Sequence, residues 1–227
     1  MRPLLATVRS TAARAWAAGF AAALLTDLAA ITFGIDEARW VAKPALMLLL
    51  LGYLGASAPP GRSLARPLGI ALLLAWAADI ALLVEGTPAF LTGMALFGAM
   101  QLGYLRVFAR LGALRRLRRR WAAPAAYSVL WAGAVAALWP RLDSLAAPVA
   151  VYGLLLAAMG ALAAGVGRWA ALGGALFVVS DLMLGMGVAG IDFPLRGQAV
   201  MAAYGAAQFL IVLGCLRNPG FGAASEE

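Results

Sequence analysis

Apolar stretches long enough to cross a lipid bilayer recur eight times along this chain, near residues 14–33, 41–57, 67–84, 89–108, 121–139, 146–164, 169–189 and 197–216. Pro, Gly and Arg separate them. A span needs about 20 apolar residues, and in hydrocarbon every backbone N–H and C=O must be bonded within the segment, which restricts such runs to helices. The chain is 64% hydrophobic and 12% charged, against about half and a quarter in soluble domains, so its length is used up by spans. The expectation is an all-α integral membrane protein of about eight transmembrane helices. A single polytopic domain would cover residues 1–217, with a short cytoplasmic tail over 218–227. The first run follows Arg2, Arg9 and Arg14 and is Ala-rich, so a cleaved signal peptide is the alternative to a span. The run is long enough to cross, however, and no clean cleavage site ends it.

The formal charge of +8 does not point to nucleic acid, because the arginines sit at the ends of apolar runs rather than on one basic face. They read as topology signals. With a cytoplasmic N-terminus, fourteen of the 18 basic residues fall on the cytoplasmic side, and only Arg39, Lys43, Arg141 and Arg196 fall opposite. The expected location is the cell inner membrane, with both termini cytoplasmic. The run RRLRRR at 115–120 is then a stop signal that touches anionic headgroups, or a specific lipid-binding patch. Histidine is absent and Cys215 is the single cysteine. That excludes Ser-His-Asp and Cys-His triads, the usual zinc sites and intrachain disulfides. No metal and no cofactor is expected, and carboxylates remain as the proton-transfer groups.

Three aspartates fall inside the expected spans: Asp27, Asp79 and Asp181. A charge at the bilayer centre costs at least about 2.5 kcal/mol, so an intramembrane carboxylate is a functional candidate by default. Asp79 and Asp181 are each the thirteenth residue of a span, and both spans run the same way, which predicts a similar depth. Two carboxyls sharing a water-poor pocket do not both ionise cheaply, so one acid and one base result. Packing through bonds to Ser, Tyr or Arg of another helix is the bland alternative, and it is the preferred reading for Asp27. A four-plus-four internal repeat would relate spans three and seven. Pro44 precedes Asp79 much as Pro148 precedes Asp181, and Phe90 and Phe193 follow at matching distances. Chance produces such marks in an Ala/Leu-rich chain as well.

Other polar groups are candidates to converge with the aspartates. Phe90, Gly93, Phe97, Gln101 and Tyr104 recur at helical spacing on one face of span four, and Tyr204 and Gln208 lie one turn apart on span eight. Lys43, the only lysine, opens the expected span two beside Pro44. It either holds a ligand phosphate or carboxylate or snorkels to the interface.

The stretch GGALFVVSDLMLGMGVAGIDFP from Gly173 to Pro194, followed by VMAAYGAAQFLIVLG from Val200 to Gly214, resembles the YhhN-like membrane proteins, which include the animal lysoplasmalogenases. Lys43-Pro44, WAADIALL around Asp79, the span-four stripe and VYGLLLAAMGALA around Tyr152 extend the resemblance over roughly residues 40–215. Ser180-Asp181 and Tyr204/Gln208 are its specific part. Two positions depart from the family pattern: Ala78 replaces a Gly before the span-three Asp, and Gln101 replaces a His on span four. Glutamine keeps hydrogen bonding but exchanges no proton near neutral pH.

The resemblance implies hydrolysis of the vinyl ether bond of lysoplasmalogen, or of a related ether lysolipid, to a fatty aldehyde and a glycerophospho-alcohol. Asp79 and Asp181 would be the acid and the cation-stabilising partner, in unassigned order. Lys43 would take the phosphate, Gln101, Tyr104, Tyr204 and Gln208 would orient the glycerol oxygens, and Phe97 and Ser180 would line the site. Partners would then be a lysophospholipid and membrane lipids. A proton-coupled carrier using the same aspartates is the competing reading.

Overall fold

The computed structural model describes the backbone of residues 2–58, 63–118 and 121–222, and side chains between Ser10 and Phe221 within those ranges. Among the basic residues used for orientation, the side chains of Arg2 and Arg9 and all of Arg62, Arg119 and Arg120 lie outside the described residues. So do residues 223–227 of the expected tail.

The described chain is helical and contains no strand. Its helices are α1 (Arg2–Phe33), α2 (Asp36–Ser57), α3 (Ala65–Ala81), α4 (Thr87–Arg110), α5 (Ala113–Leu117), α6 (Ala122–Leu138), α7 (Ala146–Val166), α8 (Arg168–Val188) and α9 (Arg196–Arg217). Each of the eight expected spans corresponds to one long helix, and the short α5 is an addition within the basic loop. Seven helices are long and apolar enough to cross a membrane. The eighth, α3, has 17 residues and reaches about 25 Å at 1.5 Å per residue. Tighter turns extend it, with Leu83 N–H donating to Ile80 O and Val84 N–H to Ala81 O. The protein is an all-α, multi-pass membrane protein.

Two compact units divide the chain: Met1–Gly103 with Leu216–Glu227, and Tyr104–Cys215. In the first, α1 packs along α2 and α2 along α3. Gly34, at φ +66°, closes α1, and Ile35 N–H returns to Ala30 O at 2.9 Å. This Schellman-type stop reverses the chain within two residues, so the end of α1 and the start of α2 face each other. Apolar residues of α2 recur at helical spacing (Leu46, Met47, Leu50, Leu54) and are buried with Leu68, Leu72 and Ala75 of α3. Gly52 lies under the Trp16 indole, so close that a Cβ there would stand 2.5 Å from the ring.

In the second unit α6 packs on α7, and α7 on α8 and α5. Small residues bring α8 and α9 together. A Cβ on Gly173 would meet Ala207 O and Ile211 N at 2.8 Å, and one on Gly214 would overlap the Ala170 backbone. Lipid offers no hydrophobic drive for such contacts, and close backbone approach supplies dispersion instead. Arg116, inside the basic run, donates to Gly165 O at 3.2 Å and Val166 O at 3.4 Å. It thereby satisfies orphan carbonyls at the end of α7. The run therefore has a structural use at Arg116.

Candidate functional site

In the first unit the helix boundaries change the setting of Lys43. Hydropathy placed it at the start of span two, but α2 begins at Asp36, and Lys43 lies about two turns inside it. Asp36 and Glu37 occupy the first turn, where acidic groups suit the helix dipole. Lys43 is only 8% exposed, and its Nζ lies 3.7 Å from Oδ1 of Asp79, itself 1% exposed. Asp79 stands in the last turn of α3 rather than in mid-span. Arg39, one turn before Lys43 on the same face of α2, has its Nε 3.7 Å from Oδ1 of the fully buried Asp27. Asp27 thus faces an Arg of the neighbouring helix at a distance longer than a hydrogen bond.

Phe97 and Gln101 of the span-four stripe are buried. Neither amide atom of Gln101 has a hydrogen-bond partner among the described residues.

In the second unit Tyr104 donates its hydroxyl proton to Gln208 Oε1. Gln208 Nε2 donates in turn to the Tyr204 hydroxyl at 3.3 Å, and the three form one buried relay. Tyr204 packs edge-on against Phe177, and Tyr104 stacks on Phe108. Ser180 donates to Val200 O at 2.9 Å, which ties α8 to α9.

Asp181 lies about two turns before the end of α8 and accepts a hydrogen bond at Oδ2 from the Tyr152 hydroxyl of α7. Both border a cavity of about 90 Å³ between α6, α7 and α8, walled by Trp131, Trp139, Leu156 and Val178. Asp181 is the one carboxylate among the described residues lining it. Sequence reading noted Tyr152 only as part of a motif and Arg39 only as a topology charge. No spacing rule links residues 12 or 29 positions apart on different helices, so neither partnership had a local signal.

Residues 38–215 match the model of the YhhN family. The chain belongs to the YhhN family. The matched segment holds Arg39, Lys43, Asp79, Gln101, Tyr152, Asp181 and Gln208, and leaves Asp27 outside. Among curated proteins, this YhhN-family chain is 34% identical over 193 residues to Lysoplasmalogenase TMEM86B of Rattus norvegicus, covering 82% of this chain and 77% of the relative. It is 36% identical over 184 residues to a lysoplasmalogenase of Mycobacterium bovis and to one of Mycobacterium tuberculosis. Each of those alignments covers 75% of this chain and 67% of the relative. No solved structure gives a significant match.

Proposed function

We propose that this YhhN-family protein is a lysoplasmalogenase-like membrane hydrolase that cleaves the vinyl ether of a lysoplasmalogen or a related ether lysolipid. The observation carrying the reading is Asp181. It is a carboxylate bound by a phenol at the edge of an apolar intramembrane cavity, in a chain similar over most of its length to proteins named lysoplasmalogenase.

The chemistry suits a carboxylic acid in apolar surroundings. A vinyl ether hydrolyses by protonation of the carbon distal to oxygen, which gives an oxocarbenium ion. Water adds to that ion, and the hemiacetal collapses to aldehyde and alcohol. Asp181 donates the proton from Oδ1, while Tyr152 holds Oδ2 and fixes the plane of the carboxyl. The Asp181 carboxylate left behind takes a proton from the attacking water, and Asp79, ion-paired with Lys43, is the second carboxylate that we propose turnover needs. In the collapse Asp181 protonates the leaving alcohol oxygen and takes up the hemiacetal hydroxyl proton, so the net reaction adds one water and Asp181 ends protonated, as it began. The carbons next to the ether oxygen enter the apolar cavity, and we propose that the buried Gln101 amide orients a glycerol oxygen. Tyr104, Gln208 and Tyr204 of the relay, with Phe97 and Ser180, are the further residues that we propose bind substrate. The charge bias supports an inner-membrane location with both termini cytoplasmic.

Purified protein in detergent with an alkenyl lysophosphoethanolamine should release fatty aldehyde. Asp181→Asn and Asp79→Asn should each lower turnover at least about 100-fold. Unchanged turnover in these variants would overturn the assignment, and substrate flux into sealed vesicles without bond cleavage would favour the carrier.

A further inference from the structure

Two cations on one face of α2 are used differently. Lys43 is enclosed and its ammonium is matched to Asp79. Arg39, one turn nearer the start of the helix, is 29% exposed. Its contact with Asp27 is longer than a hydrogen bond, at 3.7 Å. Neither Asp27 oxygen, nor Arg39 Nε, has a hydrogen-bond partner among the described residues. Elsewhere the chain closes such a pair: Arg196 Nε and Asp192 Oδ1 meet at 2.8 Å. Holding a buried carboxylate without donors is expensive, and a guanidinium carries five donors in a planar fork suited to two oxygens of a phosphate.

Position supports the same conclusion. Asp27 lies six residues before the end of α1 and Arg39 three after the start of α2. At 1.5 Å per residue both stand within about 10 Å of the helix ends, the end of a span being where its chain meets the interfacial layer. The tight Gly34–Ile35 reversal brings them together there.

We propose that Arg39, rather than Lys43, is the residue that binds the headgroup phosphate of the lysolipid, and that Asp27 is its positioning residue, holding the guanidinium from the buried side. This rests on the reading above in taking a lysophospholipid as the ligand. It assigns a phosphate ligand that the position of Lys43 against Asp79 leaves open.

The test uses binding rather than turnover. A saturated 1-O-alkyl lysophosphoethanolamine has no vinyl group to protonate, and 1-O-alkylglycerol lacks the phosphate. Affinities of the full chain in detergent for both would be read from intrinsic tryptophan fluorescence. The wild type should prefer the phospholipid at least tenfold. Arg39→Gln should bring the ratio to within twofold of one, Arg39→Lys should keep part of it, and Asp27→Asn should lower it about threefold to tenfold. The double variant Asp27→Asn/Arg39→Gln removes both charges and so guards against misfolding from one uncompensated ion. It should melt like the wild type and show no preference. A preference retained in Arg39→Gln, or absent from the wild type, overturns the proposal. Full competition by millimolar inorganic phosphate would make this a soluble-anion site and overturn it equally. Loss of aldehyde release in the turnover assay, with these ratios intact, would instead defeat the hydrolase reading alone.

Discussion

The Tyr152 hydroxyl on α7 donates to Oδ2 of Asp181 on α8, at the rim of a cavity bounded by those helices and α6. A hydrogen bond to a charged or reacting carboxyl contributes about 1.5–3 kcal/mol, which corresponds to roughly 10- to 100-fold in rate. Tyr152→Phe should therefore lower kcat by that factor while leaving KM within twofold. In the Asp181→Asn background the same change should add little further loss. Steady-state kinetics on the four proteins of this cycle provide the check.

Lys43 and Asp79 are enclosed together, with 3.7 Å between Nζ and Oδ1. Removing one partner leaves an uncompensated buried charge, which destabilises by about 3–5 kcal/mol. Lys43→Met should lower the melting temperature in detergent, and Lys43→Met/Asp79→Asn should recover most of the loss. Additive effects of the two substitutions would contradict the pairing.

Gln101 is buried with neither amide atom hydrogen-bonded among the described residues. An unsatisfied buried amide costs about 1–3 kcal/mol, so Gln101→Leu should melt at or above the wild-type temperature. Its turnover should nonetheless fall, through a higher KM, if the amide orients substrate. A destabilised Gln101→Leu protein would show that the amide is satisfied in the membrane.

Gly173 and Gly214 face backbone atoms of the opposite helix, which have no rotamer to change. Gly173→Ala and Gly214→Ala should each destabilise by about 1–3 kcal/mol. Gly133 on α6 has nothing within 4 Å of its Cβ position. There Gly→Ala should be neutral or stabilising by about 0.5–1 kcal/mol. Melting temperatures of the three variants would separate packing from helix propensity.

Arg196 and the Phe193 backbone N–H, in the connection before α9, hold the Asp192 carboxyl below its ordinary value of 3.8. The folded carboxyl therefore ionises at lower pH than the unfolded one. Its contribution to stability is present above about pH 4 and fades as pH falls through the folded value. Wild type and Asp192→Asn should differ slightly in melting temperature at neutral pH and converge in acid, and a gap that widened in acid would reverse the assignment.

Much of this layout is legible without coordinates. The stripe of Phe97, Gln101 and Tyr104 is buried, as its helical spacing required. The expected spans each became a helix because no other structure closes its backbone bonds in lipid. The start of α2 was misread because Asp36, Glu37 and Arg39 lower the local hydropathy, although they continue the helix. That shift of about two turns moved Lys43 from an interfacial position to a buried one. Asp79 and Asp181 read as equivalent by span position, yet α3 ends at Ala81 and α8 continues to Val188. Their distances from the helix ends therefore differ.

By itself the amino-acid order determined the membrane class, the positions of the long helices and the carboxylates that fall within them. Those follow from apolar length and the cost of burying charge, which are local properties of the chain. Only the tertiary structure decided which group stands beside each carboxylate: Arg39 with Asp27, Lys43 with Asp79 and Tyr152 with Asp181. In lipid such pairings are set by which small residues let which helices approach, and that choice is made by whole helix faces rather than by any segment that could be read alone.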